Sequence, residues 1–261
     1  MLEGLHGLLS SKKILVTKLL GTRYSRILTY PASDEAKARD RVRELSASGV
    51  TSLRFGGSTI IDGIPVLGKG CVGIVTLAEL DGVPVALKIR RNDADRPSMT
   101  NEGRLLHLAN SVDVGPRLIT ATTDFIAMEF FEGAPLFRWA EGQTAGNTKG
   151  VKELLGNLLC SAFRLDAIGL DHGQLSHAPK NVLVNRRGEG CIVDFESAST
   201  VRRVANVTSL LQYFLFGRIS KTIRAPKIFP RKVPILRTLA KYKREPSVEN
   251  FRSILEMLGL A

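Results

Sequence analysis

The chain has 261 residues, of which 44% are hydrophobic, and this is enough to bury a core in one bilobal domain or two small ones. A formal net charge of +12 favours an acidic partner such as a nucleotide, RNA, the ribosome or an acidic protein, although a solvated basic surface explains the same excess. The 3 cysteines lack C-x-x-C spacing, which argues against a four-ligand zinc site and indicates free thiols in a reducing compartment. Residues 1–13 lack a secretory signal pattern and no apolar run reaches about eighteen residues, so we expect a cytoplasmic protein with no membrane partner.

The first part of the chain, residues 1–50, is expected to form an N-terminal extension. Ser33 is placed to cap a helix that carries Asp34 and Glu35 in its first turn, and Gly49 lies where this helix should end. A basic segment, residues 12–26, precedes the helix. This segment could contact RNA, but a solvated surface is the simpler explanation of its charge.

A glycine-rich segment follows several short strands. Gly68, Gly70 and Gly73 have the order G-x-G-x-x-G, and the apolar, β-branched residues around them, including Val75, predict a strand, a tight loop and a second strand. Glycines in such a loop let backbone N–H groups approach phosphate oxygens. A dinucleotide-binding fingerprint would need a helix after the glycines, and a Walker loop would need Ser or Thr in place of Gly70, so neither reading fits.

The next strand carries a lysine. The turn at residues 81–82 is Asp-Gly, a hairpin signal, and the returning strand contains Ala86 and Lys88. A helical stretch follows, with Glu102 one turn before its apolar side. A glycine loop, a valine and a strand lysine in this order resemble the protein-kinase arrangement, which implies that Glu102 holds Lys88 against the α- and β-phosphates of ATP. The alternative is that Glu102 is an ordinary surface carboxylate.

Residues 125–133 predict a buried strand and a connector. The segment Glu129 to Gly133 resembles the hinge between kinase lobes, where backbone groups bind adenine, and Met128 would line that pocket. The resemblance implies nucleotide contacts for Met128, Glu129 and Phe131, as it does for Val75 and Ala86. Taken singly, these residues would be plain core.

A second cluster of polar residues follows a long apolar helix predicted over residues 151–168. Asp194 comes at the end of a buried apolar strand, where a carboxylate is costly unless it meets a cation such as magnesium. A backbone-bonded aspartate is the alternative. Asn181 precedes a short apolar strand and is a second candidate metal ligand, although a turn-forming asparagine fits the same spacing.

The order of all these parts resembles that of atypical protein kinases, and most of all the RIO-type and predicted archaeal-type Ser/Thr kinases. Residues 172–176, HGQLS, are similar to the H-G-D-L-S of RIO-type loops, and residues 194–196, DFE, to D-F-G. The resemblance covers about residues 52–216. It implies an α+β, bilobal protein kinase-like fold, with a strand-rich N-lobe over residues 51–132 and a minimal helical C-lobe over residues 133–261. It also implies ATP and Mg²⁺ as cofactors and a protein substrate.

Gln174 departs from this pattern, because it occupies the position of the catalytic aspartate and an amide cannot take a proton. Asp171 could instead orient or deprotonate the acceptor hydroxyl. Alternatively, Gln174 positions the hydroxyl, which can suffice because phosphoryl-transfer transition states are loose. The third account is a pseudokinase that binds ATP without turning it over, as a scaffold in a ribonucleoprotein assembly.

Further departures concern the substrate. Glu196 replaces the last D-F-G glycine, and neither an A-P-E motif nor a long activation loop follows, which leaves a small-molecule phosphotransferase as another alternative. His172 is expected to be structural, whereas His177 and Lys180 could reach the γ-phosphate. The basic tail from residue 218 could contact RNA or the ribosome, although solvated charge is the simpler explanation. Ser247 should cap a final amphipathic helix.

Overall fold

The computed structural model describes residues 5–143, 147–223, 228 and 232–260. The protein is α+β, with most of its strands in the first half of the chain. The strands are β1 (Lys12–Leu15), β2 (Val50–Phe55), β3 (Thr59–Ile61), β4 (Ile64–Val66), β5 (Gly68–Lys69), β6 (Gly73–Leu80), β7 (Val83–Arg90), β8 (Leu118–Ala121), β9 (Phe125–Glu129), β10 (Ala134–Pro135), β11 (Val182–Val184) and β12 (Gly190–Ile192). The helices are α1 (Leu5–Leu9), α2 (Arg26–Thr29), α3 (Glu35–Ala47), α4 (Thr100–Asn110), α5 (Leu136–Glu141), α6 (Thr148–Ala167), α7 (Ala178–Asn181), α8 (Asn206–Phe216), α9 (Ile219–Thr222), α10 (Lys232–Arg244) and α11 (Val248–Leu258).

The chain forms two compact units. Unit 1 comprises Met1–His107 with Pro116–Glu132, and unit 2 comprises Leu108–Gly115 with Gly133–Ala261. Within the described ranges, none of the helices has both the length and the apolar character that crossing a bilayer requires.

Unit 1 is built on an antiparallel sheet. Its strand order is β1-β2-β6-β7-β9-β8, with β5 paired to β6, while β3 and β4 form a separate hairpin. Asp81 and Gly82, which join β6 to β7, both have positive φ, at 48° and 80°. Two positive φ values match the right-handed twist of the strands that such a turn joins, so the predicted hairpin is confirmed.

The described part of the segment expected as an N-terminal extension, residues 1–50, belongs to unit 1. β1 pairs with β2, and Val16, Leu28 and Leu45 are buried in the same core as the sheet residues Leu87 and Phe125. In the sequence, lysines and arginines separate these apolar side chains, so the segment is recognised as basic. Its apolar residues nevertheless form part of the core.

Helix α3 of this segment begins one residue later than the sequence indicated. The carboxylate of Asp34, not the hydroxyl of Ser33, accepts the capping hydrogen bond from the backbone N–H of Lys37, at 2.9 Å. The helix ends at Ala47, and Gly49 follows with a φ of +80°. An aspartate cap also places negative charge at the positive end of the helix dipole.

A buried ion cluster ties α3 to the sheet. The guanidinium of Arg41 is 1% exposed, donates to the Leu28 carbonyl, and lies 2.6 Å from the carboxylate of Asp124. Arg90 reaches the same Asp124 oxygen at 2.9 Å. Burial works to raise the pKa of Asp124, but the two guanidinium groups outweigh it and hold that pKa below its usual value.

Unit 2 is mainly helical, with β10, β11 and β12 forming a small antiparallel sheet. The predicted long helix is confirmed as α6, whose apolar stripe from Val151 to Leu165 is buried. The predicted cap at Ser247 is also confirmed, because its side chain accepts from the backbone N–H of Asn250. In the basic tail, Arg224, Lys227 and Arg231 lie outside the described residues, as does the side chain of His177.

Candidate functional site

In unit 1, Lys88 and Glu102 form a buried ion pair. The Nζ atom of Lys88, on β7, donates to both carboxylate oxygens of Glu102, on α4, at 2.8 and 3.0 Å. The two residues are only 4% and 6% exposed. Removing two charges from water is costly, so a buried pair with this geometry is more than an incidental surface contact.

The Lys88 side of the sheet carries the residues expected to contact a nucleotide. Val75 lies opposite Lys88 in the register of β6 and β7, and Ala86 lies opposite Met128 in the register of β7 and β9. Because side chains alternate along a strand, these four residues share one face. The intervening residues of β7, such as Leu87, belong to the hydrophobic core on the other face.

The glycine motif forms a tight hairpin at the edge of this face. Gly68 is in β5 and Gly73 begins β6, and between them the backbone N–H of Gly70 donates to the Gly73 carbonyl at 2.8 Å. The guanidinium of Arg91 donates to the Gly70 carbonyl at 2.9 Å. The loop is therefore held in place by its own backbone and by a residue just after β7.

The expected hinge residues lie at the end of unit 1. Glu129 ends β9, and its backbone N–H donates to the Arg117 carbonyl at 2.9 Å. That amide is engaged within the sheet, so an adenine ring could not use it as a donor. Phe131 is half-buried in a stretch without regular structure, where backbone groups are free of a strand ladder.

In unit 2, the loop around His172 contacts the segment that contains Asp194. Nε2 of His172 is 3.1 Å from the Val193 carbonyl, and its ring lies 4.9 Å from that of Phe195. Burial lowers the pKa of His172, so the imidazole is neutral and donates from Nε2. These contacts agree with the structural role expected for this histidine.

Gln174 and Asn181 also lie together. The Nδ2 group of Asn181 donates to the side-chain oxygen of Gln174 at 3.0 Å and to its backbone carbonyl at 3.2 Å. The Nε2 group of Gln174 donates to the Ser197 hydroxyl at 2.6 Å. Because the amide nitrogen of Asn181 is used in this way, its oxygen is the atom that could bind a cation.

Asp171 is engaged by the segment that follows Ser197. One carboxylate oxygen accepts from Nε of Arg202 at 2.5 Å, and the other accepts from the backbone N–H of Ala205 at 3.0 Å. Its backbone also exchanges two hydrogen bonds with Ser199. This buried aspartate therefore anchors the following segment, whereas the sequence suggested it first as a general base.

Asp194 has an unusual backbone conformation. Its φ of +70° lies in the left-handed region. Asp194 lies two residues after the end of β12 and immediately before a short 3-10 helix, Phe195–Ser197. Among the residues that the structure describes, the other non-glycine residues with positive φ are aspartates in connecting turns, Asp62, Asp81 and Asp113. A left-handed non-glycine residue costs about 1–3 kcal/mol and is often retained at ligand sites.

The sequence did not single out two residues that organise this loop. Asn206 begins α8, and its side-chain oxygen accepts from the backbone N–H of His172 at 2.8 Å. Arg202 binds Asp171 and donates to the Ser197 carbonyl at 2.8 Å. Neither belongs to a short motif, so no spacing signal could have revealed them. The one sequence feature that could have indicated a role is the asparagine at the start of α8, Asn206.

Neither a scan against protein-family models nor a search of curated proteins returned a match. The resemblance to protein kinases therefore rests on the sequence motifs alone.

Proposed function

We propose that the protein catalyses ATP- and Mg²⁺-dependent phosphoryl transfer, as an atypical Ser/Thr protein kinase acting on a protein substrate. The single observation that carries this proposal is the buried Lys88–Glu102 pair on the non-core face of the sheet. The proposal includes a bilobal kinase-like fold, with unit 1 as a strand-rich N-lobe and unit 2 as a helical C-lobe. The antiparallel sheet of the one and the helices of the other support it.

Unit 1 would bind the nucleotide. Glu102 orients the ammonium group of Lys88, which provides positive charge for the α- and β-phosphates. Gly68, Gly70 and Gly73 would cover the phosphates, since no side chain separates their backbone from the oxygens. The apolar surface for the adenine ring would come from Val75, Ala86 and Met128. Because the N–H of Glu129 is already engaged, backbone groups around Phe131 would be the polar partners.

Unit 2 would hold the magnesium ion through Asp194 and Asn181. A carboxylate and an amide oxygen are hard donors of the kind that Mg²⁺ takes, so the residues present fit the ion. When bound, Mg²⁺ would neutralise the charge that develops on the β- and γ-phosphates.

For the acceptor hydroxyl, the hydrogen bonds favour Gln174 as a positioning group over Asp171 as a base. Both carboxylate oxygens of Asp171 already accept hydrogen bonds from its own unit. Gln174 is held between Asn181 and Ser197, so its orientation is fixed. A positioned hydroxyl can suffice, because little proton transfer is needed in a loose transition state.

Two specific observations favour other functions. The amide of Gln174, fixed where a base is expected, favours a scaffold that binds ATP without turnover, and the basic segments would then serve an RNA or ribosome contact. The short connection between Ser197 and α8, residues 198–205, leaves little chain for gripping a peptide and favours a small-molecule acceptor.

Label transfer from γ-labelled ATP tests the proposal, with nucleotide binding measured in parallel. We expect wild type to label a protein acceptor, and Lys88→Ala and Asp194→Asn to reduce labelling at least about hundredfold. Lys149→Ala is the matched control, because Lys149 forms an exposed pair with Glu153 at 3.8 Å and should label as wild type does. ATP binding without transfer to any protein or metabolite would favour the scaffold, and labelling of metabolites alone would favour the small-molecule enzyme.

A further inference from the structure

A buried tyrosine of α10 donates a hydrogen bond to a buried carboxylate of α6. The hydroxyl of Tyr242, on α10, donates to Oδ2 of Asp166, on α6, at 2.8 Å. Tyr242 is 1% exposed and Asp166 is 6% exposed. Burial raises the pKa of Asp166, and the hydrogen bond from Tyr242 opposes that rise by stabilising the carboxylate.

The same carboxylate continues the network toward the candidate catalytic loop. Oδ1 of Asp166 accepts from the backbone N–H of Asn206 at 3.0 Å and from its Nδ2 group at 2.8 Å. Nδ2 of Asn206 also donates to the Leu170 carbonyl at 2.7 Å. Oδ1 of Asn206 accepts from the backbone N–H of His172 at 2.8 Å. Three side chains thus join α10 to the backbone on both sides of Asp171.

This connection fixes a loop that has little regular structure of its own. Leu170 and His172 flank Asp171, and Gln174 follows two residues later in an irregular stretch. Asn206 uses its donor on one flank and its acceptor on the other, so its amide orientation sets the backbone of the loop. Asp166 receives both the N–H and the Nδ2 group of Asn206, which fixes that orientation, and Tyr242 in turn holds Asp166.

We propose that Tyr242, Asp166 and Asn206 are positioning residues that hold the loop of residues 170–174 in the geometry for phosphoryl transfer. This inference deepens the proposed function and rests on it for the catalytic consequence. The structural consequence, a loop held by the C-terminal helix α10, can be measured without any activity.

Tyr242→Phe tests the inference because it removes one hydroxyl and keeps the ring. We expect the amide of His172 to exchange with solvent about tenfold faster, since a charge-assisted hydrogen bond that orders its partner is lost. We expect the turnover number for label transfer to fall about tenfold while the KM for ATP stays unchanged, because the loop and not unit 1 is affected.

Tyr213→Phe is the matched control. Tyr213 is a buried tyrosine on α8 of the same unit, and its hydroxyl donates none of the hydrogen bonds in this network. We expect this variant to retain wild-type exchange at His172 and wild-type turnover. If Tyr242→Phe fails to fold, Asp166→Asn provides the second test, with the same expected increase in exchange at His172.

The outcomes separate the two proposals. Unchanged exchange at His172 in Tyr242→Phe would overturn the inference whether or not the protein transfers phosphate. Equal acceleration across all of unit 2 in both tyrosine variants would overturn it as well, because the hydroxyl would then have only a general stabilising effect. A wild-type protein without any transfer, but with faster exchange at His172 in Tyr242→Phe, would overturn the proposed function and support the network.

Discussion

A methyl group on Gly73 would lie 2.8 Å from Cγ of Lys88 and 3.1 Å from its Cε. The missing side chain at Gly73 therefore leaves the space in which the lysine stem runs toward Glu102. Gly68 differs, because a methyl group there would meet nothing within 4 Å. The two glycines of this motif therefore differ. A side chain at Gly73 would collide with Lys88 inside the protein, whereas a side chain at Gly68 would not.

Gly73→Ala should displace the lysine stem and weaken its bond to Glu102. We expect a loss of about 1–3 kcal/mol in the free energy of unfolding, which is typical of overpacking a well-filled site. Urea denaturation would measure this loss. Gly68→Ala is the matched control and should change the unfolding free energy by less than about 0.5 kcal/mol. Equal losses in the two variants would contradict the assigned contact.

Replacement of Arg41 should destabilise unit 1 far more than replacement of an exposed arginine on the same helix. In Arg41→Met, the Leu28 carbonyl and one side of Asp124 lose a buried partner. Breaking a buried pair costs about 3–5 kcal/mol, and Arg90, which also binds Asp124, should keep the loss near the lower end.

The control for this measurement is Arg43→Met, since Arg43 pairs with Asp40 on the exposed side of α3. An exposed pair contributes about 0–1 kcal/mol, so this variant should unfold at nearly the wild-type urea concentration. Similar midpoints for both variants would show that the buried cluster contributes no more than a surface pair.

Local patterns in the sequence identified the parts of the fold that depend on neighbouring residues. The Asp81-Gly82 turn and the apolar stripe of α6 are set by spacing, and the structure has both. By contrast, the packing of residues 1–50 depends on pairing with a strand that is distant in the sequence, and no local pattern indicates that pairing. From the sequence, a charged residue such as Arg41 is expected to be exposed unless its partner Asp124 is known, and that partner is 83 residues away.

The candidate site also has residues that sequence motifs indicate and contacts that they do not. Lys88 and Glu102 were named from motif order, and the structure describes them in contact. The relation of Gln174 to Ser197, 23 residues later, could not be read from a motif. The anchoring of Asp171 by Arg202 was equally hidden, because an ion pair between loop residues leaves no periodic signal in the sequence.

A carboxylate at position 174 should increase turnover if a missing base limits the reaction. In Gln174→Asp, Asn181 and Ser197 can both donate to the new carboxylate, so the surrounding hydrogen bonds tolerate it. A general base contributes about 10²–10⁴-fold where proton transfer limits the rate, so an increase of at least about tenfold would show that a missing base limits turnover. If positioning of the hydroxyl suffices, as proposed, turnover should not rise. The measurement is the rate of label transfer as a function of pH.

Asp171→Asn completes this comparison. If Asp171 is an anchor, its asparagine variant should lose turnover while the pH profile keeps its shape, because no titrating base has been removed. An acidic limb that is present in wild type and disappears in Asp171→Asn would identify Asp171 as the base. Gln174→Ala, which removes the positioning amide, should reduce turnover without a new titration.

Buried His172 should make the protein less stable in mild acid. Burial lowers the pKa of His172 in the folded state, whereas the unfolded chain titrates near the ordinary value of about 6.5. Arg202 lowers this pKa further, and Asp194 and Asp171 oppose the change without reversing it.

This lowered pKa makes the free energy of unfolding depend on pH. As the pH falls below about 6.5, the unfolded state binds a proton that the folded state does not. The free energy of unfolding therefore decreases by up to about 1.4 kcal/mol per pH unit until the folded pKa is reached. His172→Gln can place an N–H donor near the position of Nε2, facing the Val193 carbonyl, but does not titrate, so its unfolding free energy should change less between about pH 6.5 and pH 5. Urea unfolding across this range measures the difference, with His107→Gln, a change at an exposed position of α4, expected to keep the wild-type slope. A wild-type slope in His172→Gln would mean that this histidine is not the source of the acid sensitivity.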